Sequence, residues 1–443
     1  MQIKLSDHFT YKKLFRFSIP SMIMMVFTSI YGIVDGLFVS NLVSKGAFAA
    51  INLIFPVLMI VGAFGFMMGA GGTAIVAKTL GEGRKDSANK YFSFIVYVTV
   101  AAGAVMAALG FIFMRPLAEL LGAEGATLEH CVSYGRIVIS AMPFFMLQNL
   151  FQSFFIAAEK PKLGLWVTIA AGITNIVLDA VFIAVFNLGL EGAAIATSIS
   201  QLVGGVIPVF YFARKNSSLL RFMRTKFYGK VLIKSITNGS SELMSNISAS
   251  IVTVLYNRQL LKFAKEDGVA AYGVIMYLSF VFVAIFIGYS IGCAPIVSYH
   301  YGAANRDELK NILRKSTVIL FSLGAVMFVV SFLCATPLSM IFVSYDTALL
   351  DMTVRGLKIF SISFLFSGFC IFASSFFTAL NNGPASAAIS FLRTLVYQLV
   401  LVLILPIFLK LDGVWYSMPA AEILAFATTL LFIFAKRKKY GYM

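Results

Sequence analysis

The chain has 443 residues, 60% of them hydrophobic and only 12% charged, with a mean hydropathy of +0.90. A soluble domain carries about 25% charged residues, so this composition excludes an ordinary soluble enzyme and fits a membrane protein. Lys and Arg outnumber Asp and Glu by 35 to 19, giving a net charge of +16. In this sequence the excess does not mean nucleic acid, because the basic residues fall between apolar runs and form no basic face interleaved with aromatics.

A membrane span needs about 20 mostly apolar residues. Twelve such runs are predicted, at roughly 14–40, 46–77, 91–114, 131–157, 163–187, 190–213, 235–257, 268–300, 316–343, 352–380, 384–409 and 411–435. The N-terminus resembles a signal peptide, but its apolar run continues from Phe17 to Val39 without a clear cleavage site, so it is read as a retained first span. Pro20, Pro56, Pro143, Pro208, Pro295, Pro406 and Pro419 fall inside or at the ends of the runs, as kinked spanning helices tolerate. Gly32 with Gly36, Gly65 with Gly69, and Gly288 with Gly292 have the spacing that lets helices approach closely.

Most of the basic residues lie on one side of this pattern. They flank the first span (Lys12, Lys13, Arg16), follow the second (Arg84, Lys85), fill Arg214 to Lys234, follow the eighth (Arg306, Lys310, Arg314) and end the chain at Lys436 to Lys439. That side is expected to be cytoplasmic, with both termini inside a cell membrane. The sequence also repeats at a shift of about 221 residues. Gly81-x-x-Arg84-Lys85-Asp86 matches Gly302-x-x-Asn305-Arg306-Asp307, Pro116-Leu117 matches Pro337-Leu338, and Leu190-Glu191-Gly192 matches Leu411-Asp412-Gly413. The expected fold is therefore an all-α integral membrane protein with twelve transmembrane helices in two six-helix repeats. The bundles are residues 1–222 and 223–443, related by a pseudo-two-fold axis along the membrane normal, with Arg214 to Lys234 as the linker.

Catalytic motifs are lacking: there is no GxxxxGK[ST] and no HExxH. Gly288-Tyr289-Ser290-Ile291-Gly292 spells GxSxG, but inside a predicted span, where a nucleophile elbow cannot form. Cys131, Cys293, Cys334 and Cys370 form no CxxC pair and read as small packing residues, and His8, His130 and His300 make no metal cluster.

What remains is a set of ionisable residues inside the spans. Asn175 and Asp179 lie one helical turn apart in an otherwise apolar stretch, on one face of the fifth predicted helix. At 1.5 Å per residue, Asp35 lies ~28 Å from Arg16, Asp179 ~25 Å from Lys162, and Thr197 ~9 Å beyond Glu191. Asp35, Asn175, Asp179 and Thr197 thus share one depth in the outer half of the membrane, where their oxygens suit a proton or Na⁺. The structural alternative for Asp179 is an acid satisfied by a neighbouring helix, and for Asp35 helix-packing polarity between Gly32 and Gly36. Arg393 and Glu422 lie near the midplane and are read as a buried pair, with Glu242 as an alternative partner. The 44 Phe and 19 Met supply deformable surfaces, some of which could line a chamber for varied amphipathic ligands.

With these motifs in order along essentially its whole length, the chain resembles the multidrug and toxic compound extrusion (MATE) family. The resemblance rests on the two repeats, on Gly81-x-x-Arg84-Lys85-Asp86, on Leu188 to Thr197 leading into the sixth span, and on Leu411-Asp412-Gly413-Val414-Trp415 followed by Pro419 and Glu422. It implies antiport of amphipathic, cationic drugs or metabolites against H⁺ or Na⁺. In the prokaryotic branch it implies a cation site at Asp35, Asn175, Asp179 and Thr197. The family's other pattern uses carboxylates on helices 7 and 10. Glu242 is present for it, but the tenth predicted helix has no carboxylate. No other metal and no cofactor is expected. The partners are a small-molecule substrate and the lipid bilayer, without nucleic acid, and the chain is expected to be a monomer. A flippase for a lipid intermediate or endogenous metabolite has a similar architecture and stays open. A receptor or channel is disfavoured by the short loops and the two-fold repeat.

Overall fold

A computed structural model describes residues 3–43, 45–344 and 346–443, and every regular element in it is helical. The N-terminal part consists of α1 (Tyr11–Leu42), α2 (Lys45–Gly81), α3 (Lys85–Leu120), α4 (Gly125–Ser140), α5 (Met142–Ala157), α6 (Pro161–Asp179) and α7 (Gly189–Ala213). A non-helical segment, 214–228, leads to α8 (Gly229–Gly302), α9 (Arg306–Leu333), α10 (Ala335–Val343), α11 (Thr347–Phe360), α12 (Phe364–Ala379), α13 (Gly383–Phe391) and α14 (Tyr397–Tyr440). The connection is shorter than the basic stretch suggests, since Lys230 and Lys234 already belong to α8.

Among the described residues, nine helical runs are long and apolar enough to cross a membrane. The count is ten if α4 and α5, bent by 53°, form one crossing. The chain is thus a multi-pass integral membrane protein. The bend falls at Ala141, just before Pro143, which has no amide proton to continue the α4 ladder. Two of the runs turn back on themselves. Lys265 interrupts α8 with φ 53° and ψ −143°, and the rings of Tyr256 and Tyr272 stack at 5.0 Å. A straight helix would hold those residues ~24 Å apart, so the chain reverses there. Lys410 interrupts α14 in the same way, with φ 51° and ψ −128°, and Ser417 Oγ donates to the Leu401 carbonyl at 3.1 Å.

The repeat seen in the sequence recurs in the backbone. Left-handed φ values occur at Gly83 and Ala304 (77° and 55°), at Glu159 and Asn381 (58° and 59°), and at Asn187 and Lys410 (52° and 51°). Their separations match the repeat shift to within two residues. The counterpart of Lys265, Ser44, lies outside the described residues.

The two parts meet along α1 and α2 on one side and α8 on the other. A Cβ at Gly81 would collide with the Tyr299 carbonyl, and one at Gly302 with that of Lys78. Gly71 and Gly239 sit against Ser235 and Met67, and Gly288 and Gly292 against Ser21, Met22 and Ser18. All these approaches lie within about 21 Å of the helix ends that carry the basic residues, at ~1.5 Å per residue. Residues 3–10 strap the same end. The Leu5 amide donates to Glu159 Oε1 at 2.6 Å, while the Phe9 amide and His8 Nδ1 meet Glu308 at 2.9 and 2.6 Å. Apolar residues such as Tyr97, Val105, Ile112, Trp166, Ile407 and Phe408 remain exposed, as expected of surfaces that face lipid.

Candidate functional site

The site is built where α1, α6 and α7 run side by side. Gly172 brings α6 onto α1, because any side chain there would strike the rings of Phe27 and Tyr31. One helical turn farther along α6 stand Asn175, 2% exposed, and then Asp179, fully buried. The α-helix ends at Asp179, and the next turn, Ala180–Val185, widens into a π-helix. Such a turn re-aims the side chains beside it and is frequent at functional sites.

Asp179 and Asp35 of α1 face each other closely enough to interact directly. Among the described residues, Asp35 Oδ1, both oxygens of Asp179, Asn175 Oδ1 and Nδ2, and Thr197 Oγ1 of α7 are buried without a hydrogen-bond partner. The four residues singled out from sequence are therefore alike in presenting orphaned oxygens. Leaving one such atom unpaired costs ~1–3 kcal/mol, and more for a charged group. Carboxylate, amide and hydroxyl oxygens together suit a proton or a hard cation such as Na⁺.

Sequence reasoning missed Tyr134. It is buried on α4, its ring stands within electrostatic reach of both carboxylates, and its hydroxyl lies beside Thr197. Tyr31 on α1 lies within electrostatic reach of Asp35 and beside Gln148 of α5. Gln201, one turn beyond Thr197 on α7, has its own buried and unpartnered Oε1. Tyrosine is common at membrane interfaces, so nothing in the residue type distinguishes Tyr134 from an anchoring aromatic.

The second group of predicted residues is arranged differently. Arg393 Nε donates to Glu422 Oε1 and Oε2 at 2.9 and 3.0 Å, and a further guanidinium nitrogen reaches Oε1 at 2.9 Å. Glu422 is completely buried. Arg393 sits in a second π-helical turn, Leu392–Val396. Glu242, the alternative partner, takes no part in this pair. It lies partly buried on the first arm of α8. A hydroxyl cluster ties α12 to α13, with Ser374 Oγ 2.9 Å from Ser386 Oγ and 2.8 Å from Ser390 Oγ.

Among the described residues no group of three or more His, Cys, Asp or Glu could hold a metal ion. His8 and His300 do converge on one cavity of about 410 Å³ at the basic end, lined also by Asp7, Asp307 and Glu308. That contact spans some 300 residues of sequence and has no local signal. Three of the four cysteines are buried, as packing residues should be. Cys334 is exposed at the break between α9 and α10.

Comparison with known proteins gives one consistent picture. The profile of the MatE family matches residues 20–181 and, a second time, residues 243–404. The Multidrug export protein MepA of Staphylococcus saprophyticus subsp. saprophyticus is 26% identical over 435 residues, covering 97% of this chain and 94% of that protein. Its namesake in Staphylococcus haemolyticus is 25% identical over 432 residues, with the same coverage. Among solved structures, a MATE protein in complex with MaL6 superimposes with a TM-score of 0.93 at 21% identity, covering 98% of both chains. An outward-facing multidrug resistance MATE family transporter of the MOP superfamily gives 0.93 at 22% identity, again over 98% of each.

Proposed function

The chain belongs to the MatE family, and from that premise we propose that it exports amphipathic, cationic small molecules by antiport against H⁺ or Na⁺. It is a secondary active transporter and not an enzyme. One observation carries the coupling site: two carboxylates, an amide and a hydroxyl from three helices present buried oxygens with no hydrogen-bond partner among the described residues. A cation arriving among Asp35, Asn175, Asp179 and Thr197 would satisfy those oxygens and neutralise the buried charge. Binding can then shift the transporter between its two access states, by as much as the two states differ in affinity for the cation.

The architecture that fits is two six-helix bundles, residues 1–222 and 223–443. The ten crossings counted by length become twelve when the reversals at Lys265 and Lys410 are included. The matched left-handed positions support the repeat, and the basic residues at the sealed end support cytoplasmic termini. The site lies toward the far end of α1, away from the seal. The bundles rock about that contact, and the glycine approaches and the strap of residues 3–10 part when the chamber opens inward.

Substrate efflux from proteoliposomes, with a pH gradient and a Na⁺ gradient imposed separately, tests this reading. The wild type should concentrate substrate under at least one gradient, and Asp179→Asn under neither while still binding substrate. Uphill transport by the variant at the wild-type rate would remove Asp179 from the mechanism. Asn216→Cys and Tyr440→Cys, each in a cysteine-free background, should resist an impermeant thiol reagent in intact cells. Labelling of either from outside would overturn the topology.

A further inference from the structure

Between Glu191 and Glu242 the chain carries seven basic residues and not one acid. Six of them, Arg214, Lys215, Arg221, Arg224, Lys226 and Lys230, cluster on the segment between α7 and α8 and on the first turn of α8, and all are exposed. Among the described residues, none of the six makes an ion pair. Elsewhere at the same end three cations are paired: Lys13 with Asp7 at 3.3 Å, Lys78 with Glu82 at 3.5 Å, and Arg84 also with Glu82.

The segment is not a loose tether. The Arg221 amide donates to Asn89 Oδ1 at 2.7 Å and the Met223 amide to Ser93 Oγ at 2.9 Å, while Thr225 Oγ1 donates to the Lys90 carbonyl at 2.9 Å. Phe222 stacks on Phe92 at 5.2 Å and on Tyr97 at 6.1 Å, and Phe227 packs edge-on against Phe94 at 5.5 Å. This docking fixes its depth. Tyr97, half exposed, begins the exposed apolar stripe of α3 that continues through Val100, Val105 and Leu109, and the segment lies against the turn just before it. Its cations therefore stand where an apolar, lipid-facing flank gives way to the charged end, with Phe227 exposed among them at 74%.

From this we infer that the segment 214–230 is a binding collar for the phosphate headgroups of anionic phospholipids. Clustered Lys and Arg immediately beyond a spanning helix attract anionic headgroups, and an exposed aromatic settles at the same interface. A soluble polyanion would not require the cations to be pinned at headgroup depth. Lys234, on the first turns of α8, extends the basic surface inward, within electrostatic reach of Lys78 and Lys439. The collar thereby connects to the seam between the two parts of the molecule.

The test uses the full chain in detergent, titrated with phosphatidylglycerol or phosphatidylcholine and read by native mass spectrometry. The wild type should retain phosphatidylglycerol in preference to phosphatidylcholine. Changing all six collar residues to Gln should weaken phosphatidylglycerol retention at least tenfold and leave phosphatidylcholine unchanged. A control variant neutralising Lys12, Lys85, Lys310, Arg314, Lys438 and Lys439 has the same net charge and should stay within twofold of wild type. Equal losses in both variants, or none in the first, would overturn the inference. Should the collar variant misfold, amide exchange of the wild-type chain in nanodiscs decides. Residues 214–230 should be protected in phosphatidylglycerol relative to phosphatidylcholine, and identical exchange refutes the collar.

Discussion

The N-terminal and C-terminal parts each bury charge in the membrane, next to a π-helical turn, and they treat it in opposite ways. In the C-terminal part Arg393 holds Glu422 with both carboxylate oxygens engaged, so the pair is complete. In the N-terminal part Asp35 and Asp179 approach one another with no Lys or Arg paired to them among the described residues, and Asn175 and Thr197 likewise lack partners there. Buried carboxylates are expensive unless paired, so a fold that keeps two together has a use for what they can bind. The contrast separates an internally closed ion pair from a site completed by something that arrives.

Asp179→Asn should have the largest effect on function and a small one on stability. It preserves shape but removes the charge, so uphill efflux should be abolished while the thermal unfolding temperature stays level or rises. A matching change at the complete pair should behave the other way. Arg393→Met leaves the carboxylate of Glu422, fully buried, without compensation, and should destabilise the fold by ~3–5 kcal/mol. Arg393→Met with Glu422→Leu should recover most of that loss. If the double variant unfolds as easily as the single one yet transport depends on Glu422 alone, the pair is not merely structural and the contrast fails.

The degree to which this was readable from sequence follows the same division. That Asp35, Asn175, Asp179 and Thr197 would be buried together was legible because polar groups stand out in apolar runs, and helical spacing assigns them a face and a depth. The Arg393–Glu422 pair was legible from depth as well, although depth alone left Glu242 as a rival. The reversals at Lys265 and Lys410 fall at the breaks between the predicted runs 235–257 and 268–300, and 384–409 and 411–435. Tyr134 was not legible, since a tyrosine in a span has several uses. Nor was the strap, because His8 and Glu308 meet through tertiary packing that no local pattern encodes.

Between these extremes lies the packing that aligns the site. Gly172→Ala pushes a methyl group into the ring of Phe27 and should force α6 away from α1. Overpacking of this kind costs ~1–3 kcal/mol. If the site needs Asp35 and Asp179 together, Gly172→Ala should weaken cation-driven efflux more than it lowers the unfolding temperature. Combining it with Phe27→Ala should restore transport. A variant equally impaired in both respects would make Gly172 a packing residue only.

The mildest change probes how the site discriminates between its ions. Tyr134 brings a phenol beside Thr197 and within electrostatic reach of both carboxylates, so it can influence how strongly their charge is held. Tyr134→Phe keeps the ring, and with it the packing of α4 against α7, and removes only the hydroxyl. One hydrogen bond to a charged group contributes ~1.5–3 kcal/mol, and one between neutral groups ~0.5–1.5 kcal/mol. If the phenol stabilises the ion-free carboxylates, its loss should tighten the coupling cation several-fold and slow its release, lowering the maximal efflux rate while reducing the driving-ion concentration at half-maximum. If the phenol instead helps to ligate the cation, affinity should fall by a similar factor. The ion dependence of efflux in proteoliposomes distinguishes the two by sign, and an unchanged ion dependence would confine Tyr134 to packing.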